Sequence, residues 1–301
     1  MAEPQAPAEI APGVLACEVP GCGVAAFAAK DFQRGDIVLQ EQAIFISAVD
    51  TPSRRNEEIY KALLAELHSR RLTADFTPNA HLGALVALRD LGVQGCKDFL
   101  LKKCHGDPEQ LPNPRLARQE AAPLRRCIAS GILPPACAAL PAVEYAKLRM
   151  AIQLNGFRFN FNAQEGDFGY DTGEVLFDKI SRLNHSCTPN LDFNLSWDAD
   201  NETVVNTITA STPIRTNEEL NISYLPLRLK LPVEERRAQL LKHWGFHCRC
   251  SRCLLEGGAP CVATPAVSRI PHRSDTRSEG SDSEGICWED LCDPDATDTK
   301  C

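Results

Sequence analysis

The strongest constraint on the fold lies near residue 250. Cys248, Cys250 and Cys253 stand in a C-x-C-x-x-C spacing just after an amphipathic stretch, Val233 to Trp244. Three thiolates this close can converge on one soft cation, and reduced cysteine favours Zn²⁺. Structural zinc is almost always four-coordinate, so a fourth ligand must arrive from elsewhere in the chain. Cys261, Cys287 and Cys292 follow downstream; Cys187 stands far upstream, in the polar run Arg182 to Asn190. That run is rich in Asn, Ser, Thr and Pro, which compete with or remove backbone hydrogen bonds, so it is expected to be a loop. If Cys187 is the fourth ligand, the zinc pins the C-terminal segment onto that loop through Zn–S bonds of about 2.3 Å. A site closed by four thiolates has no open position for a zinc-dependent hydrolase. Cys96, Cys104 and His105 make an incomplete set, and no metal is assigned to them.

Composition matters here for the state of the thiols. The chain has 14 cysteines in 301 residues. It shows no N-terminal charged-then-apolar signal and no apolar run long enough to span a bilayer, so reduced thiols in the nucleus or cytoplasm are expected, with no membrane association. The formal net charge of -8 argues against generic or sequence-specific nucleic-acid binding. Much of that charge is local: Ala259 to Cys301 holds nine Asp/Glu and four Lys/Arg. This Ser/Asp/Glu-rich segment cannot bury enough apolar surface to offset the cost of ordering, and reads as a disordered acidic tail.

The pattern between these features gives an α+β class. Residues 1–12 are Ala/Pro-rich and expected to be loose. Residues 13–50 carry short apolar, β-rich runs bounded by Gly and Asp, such as Val14 to Val19, Val24 to Ala29 and Ile37 to Glu41, the signature of strands and hairpins. Residues 51–150 change period: Ile59, Leu63, Leu64 and Leu67, then Leu85, Val86 and Leu88, recur at helical spacing. Further helical pieces are expected at Phe99 to Cys104, Leu116 to Ile132 and Val143 to Leu154. Over residues 151–232 the alternation of Phe157, Phe159 and Phe161 returns to strand, with a turn at Glu165 to Asp167. Leu191 to Trp197 and Thr203 to Ala210 form a strand pair, and Leu220 to Tyr224 another strand. Residues 233–258 hold the amphipathic helix and the cysteine triplet.

In this order the pieces resemble the SET-domain lysine methyltransferases, most closely the split-SET, SET–MYND-like branch, from about residue 13 to 255. Gly21-Cys22-Gly23-Val24-Ala25-Ala26-Phe27-Ala28 is similar to the family's G-x-G-x-G-x-F-A opening, with Ala25 replacing the last Gly. Asn184-His185-Ser186-Cys187 matches N-H-S-C in full. Glu219 to Tyr224 resembles the segment that ends in the family's catalytic tyrosine, and Phe246 to Cys253 matches the post-SET F-x-C-x-C-x-x-C. The departures are the absence of a seven-Cys/one-His MYND set between residues 50 and 150 and of a long C-terminal helical region.

The resemblance implies a SET-domain β-fold of short sheets with a helical insertion and a zinc-binding post-SET segment. It implies S-adenosylmethionine as cofactor, approached by Cys22, Gly23 and Val24 through backbone groups. Asn155 would add a polar contact, Ser181, Leu183, Asn184 and His185 would hold the methionine and adenine parts, and Phe246 would stack on adenine. Tyr224 would be catalytic and touch the cofactor, while Cys187, Cys248, Cys250 and Cys253 would hold zinc. The implied activity is methyl transfer to lysine side chains of a protein, histone or non-histone, by a monomer. The competing expectation is a SET-fold binding module without turnover. Phe177, Phe193 and Trp244 are candidates for a lysine channel.

Overall fold

The computed structural model describes residues 7–19, 23–48, 55–70, 78–98, 114–160, 172–226 and 230–257. Cys22, the helical piece Phe99 to Cys104, the Glu165 to Asp167 turn, Cys261, Cys287, Cys292 and the acidic tail lie outside these residues.

Among the described residues, three small sheets form the β part. The first begins with an antiparallel hairpin of β1 (Ala8–Ala11) and β2 (Val14–Val19), which then pairs with β3 (Gly23–Ala28). The first twelve residues were expected to be loose, yet Ala8 pairs with Ala16 and Glu9 with Leu15. The reason is Pro12-Gly13 between them. Proline presets the turn and Gly13 takes φ +83, which an L side chain resists. The second sheet is β4 (Ile37–Gln42), β10 (Thr203–Ala210) and β9 (Leu191–Asp198), in the order β4-β10-β9. Along β10, Val204, Asn206, Ile208 and Ala210 point inward and alternate with partly exposed neighbours, as strand geometry requires. The third is β5 (Phe45–Ile46), β7 (Thr172–Leu176) and β6 (Phe157–Asn160), in the order β5-β7-β6. Here Gly173 passes so close to Ala48 that a Cβ would overlap it.

The helical block lies between the β segments in sequence. Among the described residues it holds α1 (Glu57–Arg70), α2 (Pro78–Cys96), α3 (Pro114–Glu120), α4 (Ala122–Ala129) and α5 (Ala142–Asn155). Leu63, Leu82, Leu85, Leu88, Leu148 and Ile152 build its core, which Phe45 and Leu176 join to the third sheet. The sequence boundary at 150/151 falls inside α5, because the helix continues until Gly156 turns extended and β6 begins.

Two short elements bring the remote segments together. β8 (Asn184–His185) lies in the run expected to be a loop, and pairs in parallel with β11 (Glu219–Ile222), Asn184 with Asn221 and His185 with Ile222. β11 also pairs with β3, giving the five-stranded order β1-β2-β3-β11-β8. α6 (Val233–Trp244) then ends at Gly245, whose φ of +76 forms a left-handed stop, and α7 (Ser251–Gly257) closes the described chain.

Candidate active site and thiolate centre

Beyond His185, the chain folds Ser186 to Asn190 onto β11 with side-chain amides. Asn190 donates to the Glu219 carbonyl at 2.8 Å and accepts from the Asn221 N–H at 3.0 Å. Asn184 donates to the Glu219 carboxylate at 3.0 Å. Within the turn, Ser186 Oγ accepts the Thr188 N–H at 3.1 Å. These bonds hold Cys187 inward, where it is buried with Cys248 and Cys253.

The sulfur atoms of Cys187, Cys248, Cys250 and Cys253 lie within 4.8 Å of one another, with Cys187–Cys248 at 3.9 Å and Cys187–Cys253 at 3.5 Å. A tetrahedral zinc with Zn–S bonds near 2.3 Å needs sulfur–sulfur edges of about 3.8 Å. Both the donor set and the spacing fit a closed structural Zn²⁺. Of the fourth ligands open in the sequence, Cys187 is the one the described residues bring to the triplet.

Arg236 is a participant that the sequence reading missed. Only 4% exposed, it donates from Nε to Cys187 Sγ at 3.3 Å and from Nη2 to Cys253 Sγ at 3.4 Å. It also donates to the Leu231 carbonyl and to Glu256 Oε2, at 2.6 and 2.7 Å. Four thiolates around a divalent ion would leave two negative charges, and a buried guanidinium here would offset part of them. Its signal was present: Val233, Arg236 and Leu240 share the inward face of α6 at helical spacing. A charge on that face asks for a partner.

His185 links the thiolates to Tyr224. Its Nδ1 accepts the Tyr224 N–H at 2.9 Å, which places the ring proton on Nε2, 3.3 Å from Cys187 Sγ. Burial, and then the nearby Arg236 charge, hold its pKa down to about 4, so the ring is neutral at physiological pH. Both ring nitrogens are thus engaged by the protein, and a cofactor contact by His185 falls to its backbone or ring face. Tyr224 donates its hydroxyl to the Leu183 carbonyl at 2.9 Å. Burial raises its pKa, which keeps it a protonated donor whose oxygen can still accept. The rings of Trp244 at 5.3 Å and Phe246 at 6.4 Å surround Tyr224, and Phe246 also lies 6.1 Å from His185.

Leu183, Asn184, His185, Tyr224 and Phe246 are therefore one group. Ser181 sits one turn before it, with Oγ donating to the Asp178 carbonyl. Gly23, at φ +75, and Val24 open β3 in the same sheet as β8. Asn155 ends α5 with its amide on the Ala151 carbonyl, and among the described residues it makes no hydrogen bond to the 181–187 segment. Of the channel candidates, Trp244 is beside Tyr224, whereas Phe177 and Phe193 flank Phe157 at 5.6 and 5.5 Å.

A fold of small sheets interrupted by a helical block, with a tyrosine behind an N-H-S-C segment and a four-cysteine corner, defines a SET-type protein. The SET domain family matches residues 23–225, about two thirds of the chain, and the protein belongs to it. Histone-lysine N-methyltransferase SET5 of Eremothecium gossypii is 32% identical over 120 residues, 40% of this chain and 20% of that protein. Histone-lysine N-methyltransferase ATXR2 of Arabidopsis thaliana is 43% identical over 83 residues, 27% of this chain and 16% of that protein. The chain thus spans about a fifth of the length of the curated relatives it matches. The crystal structure of the SET domain of LSMT bound to lysine and AdoHcy aligns with 80% of this chain and 54% of that one, at 14% identity and a TM-score of 0.47.

Proposed function

We propose that the protein is an S-adenosylmethionine-dependent protein-lysine methyltransferase with a structural zinc. The observation that carries this reading is the Tyr224 hydroxyl, oriented by the Leu183 carbonyl and walled by Trp244 and Phe246. Bound S-adenosylmethionine supplies a methyl group activated on a sulfonium sulfur. The residues of this chain then have mostly alignment to provide, which can contribute roughly 7–11 kcal/mol to a displacement. A lysine amine must be neutral to attack, against an ordinary pKa of about 10.4, and a dry aromatic surround favours that form. Tyr224 donates its O–H to the Leu183 carbonyl and keeps acceptor capacity on its oxygen, so it orients the amine without adding a charge. Gly23 and Val24, with Ser181 to His185, line the cofactor side in this reading, and Phe246 offers a face for adenine. Cys187, Cys248, Cys250 and Cys253 would hold the zinc, and through it these residues would tie the post-SET segment to the loop.

The substrate is a lysine-bearing protein, histone or non-histone, and the protein acts as a monomer. A nuclear or cytoplasmic site is supported by the described cysteines, none of which is in a disulfide. No described helix is long and apolar enough to cross a membrane.

The test is incubation with labelled S-adenosylmethionine and a lysine peptide array, read by mass spectrometry. Label on lysine is expected, and Tyr224→Phe should abolish most of it while cofactor affinity stays nearly unchanged. Tight cofactor binding with no transfer to any peptide or protein favours a binding module instead.

A further inference from the structure

Glu41 is a charge on the inward side of a strand. In β4, Leu39 points into the core and Glu41 follows it at i+2, half-buried, opposite the buried Asn206 of β10. Its carboxylate reaches the segment before β8, 137 to 139 residues away in sequence. Oε1 accepts the N–H groups of Asp178 at 2.9 Å and Lys179 at 3.1 Å; Oε2 accepts those of Lys179 and Ile180, both at 3.0 Å. Three consecutive amides thus converge on one side chain. They stand at the start of the single 3-10 turn Ile180–Arg182, which has no side-chain cap of its own. The first N–H groups of a helical turn have no partner within it, and an anion there is favoured by both hydrogen bonding and the turn's dipole.

The turn transmits this position directly to the active site. Arg182 N–H bonds to the Lys179 carbonyl and Leu183 N–H to the Ile180 carbonyl, both at 3.1 Å. The Leu183 carbonyl is the group that accepts the Tyr224 hydroxyl. From the Glu41 carboxylate to the tyrosine oxygen the path is one capped turn and one hydrogen bond. We propose that Glu41 is a positioning residue that sets the Leu183 carbonyl, and through it the Tyr224 hydroxyl and the cofactor side of residues 181–185. It touches neither substrate nor cofactor. The inference rests on the methyltransferase reading above.

A carboxylate suits this site because both of its oxygens accept. All four contacts are N–H donors, and bonds to an ionised acceptor are the stronger kind. Glu41→Gln keeps the shape but turns an NH₂ toward at least one N–H. Glu41→Asp keeps the charge and is a methylene short.

The experiment uses the full chain. S-adenosylhomocysteine affinity is measured by calorimetry, kcat and the KM for a peptide substrate by methylation, and amide exchange by mass spectrometry. For Glu41→Gln we expect affinity and kcat each to fall roughly tenfold, about 1.4 kcal/mol. Peptide KM should stay the same, and faster exchange should be confined to residues 178–185. A general loss of packing would raise exchange across the sheets and move every constant. Wild-type affinity and kcat in Glu41→Gln overturn the inference. If Glu41→Gln does not fold, Glu41→Asp decides: unchanged affinity and kcat overturn it, and a selective fall in both supports it. A wild-type protein that binds no S-adenosylhomocysteine refutes the methyltransferase reading itself, and is told apart by needing no variant.

Discussion

In the helical block, Leu63, Leu85, Leu88, Leu148 and Ile152 are wholly buried in one broad apolar cluster that continues into the third sheet. At the corner formed by the N-H-S-C turn, α6 and α7, the buried set is small: Leu225, Val233 and Leu240 beside Cys187, Cys248 and Cys253. Both regions exclude water, by different means. The first uses area, at about 25 cal/mol per Å² of apolar surface removed from water. The second has too little area for that, and relies on sulfur ligands, a buried arginine and amide lashings. A region held by packing weakens gradually when trimmed, whereas a region held by one ion fails as a unit.

Removing the ion should break the comparison open most widely. Apparent zinc binding in small structural sites is worth about 10–16 kcal/mol near neutral pH. Treatment with a strong chelator, or Cys187→Ser, should release zinc, measured by elemental analysis, and speed amide exchange across residues 233–257. The helical block should keep its protection. Equal loosening of both regions would show that the corner is not a separate unit. Retained zinc in Cys187→Ser would remove Cys187 from the ligand set.

A smaller effect is expected from Arg236→Met, which keeps the side-chain stem and removes the N–H groups on Cys187 and Cys253. Losing such a partner of a metal ligand typically lowers metal affinity about 10–100-fold. Competition with a chromophoric chelator measures it. Lysine should not rescue, because a single ammonium lacks the fork that reaches two sulfurs, a carbonyl and Glu256. Unchanged affinity would mean the guanidinium only fills space.

The helical block answers to acid instead, with the smallest effect. His81 is buried, its Nδ1 2.9 Å from the Tyr145 hydroxyl, and burial, then Arg149, push its pKa down to about 3. The folded state keeps the ring neutral while an unfolded chain takes up a proton below about 6.5. Stability from this group is therefore full above 6.5 and falls as pH drops toward 3, by at most about 1.4 kcal/mol per unit. Glu174, raised to about 7 by burial, has the opposite sign: its protonated form suits the fold, so stability falls as pH rises from 4.5 to 7. Urea titrations of wild type and His81→Gln at pH 6.5 and 5 isolate the histidine. The wild type should lose more on acidification, and parallel losses would exclude His81.

How much of this was legible in the sequence followed the range of the interactions. The 3.6 period of Ile59, Leu63, Leu85 and Leu88 and the strand pair of Leu191 to Trp197 with Thr203 to Ala210 are local signals, and these elements fell where expected. The C-x-C-x-x-C triplet is local too, and the need for a fourth ligand pointed as far as Cys187. Glu41 was read only as part of a strand and Arg236 only as part of a helix, because their roles depend on partners remote in the chain. Each nevertheless stood at an inward position of its own element, where a charge is out of place without a partner. β8 was missed because its two residues earn strand geometry solely from β11. Read as a loop by its Asn, Ser and Pro content, the segment is pinned by side-chain amides and by parallel pairing that no local pattern records.

The parallel pairing of β8 with β11 also bears on the order in which the molecule can assemble. Parallel neighbours need a long connection, here the β9–β10 hairpin that must first return the chain to the same edge. Such distant pairings carry a loop-closure cost before they gain any contact energy, and so form late. During synthesis the helical block is complete well before residue 221 emerges, and the cysteine triplet comes later still. Folding from the N-terminal side would therefore build the interior of the helical block before β11 can join the β core and the cysteine corner. At that stage Cys187 stands without Cys248, Cys250 and Cys253, which all follow β11 in the chain.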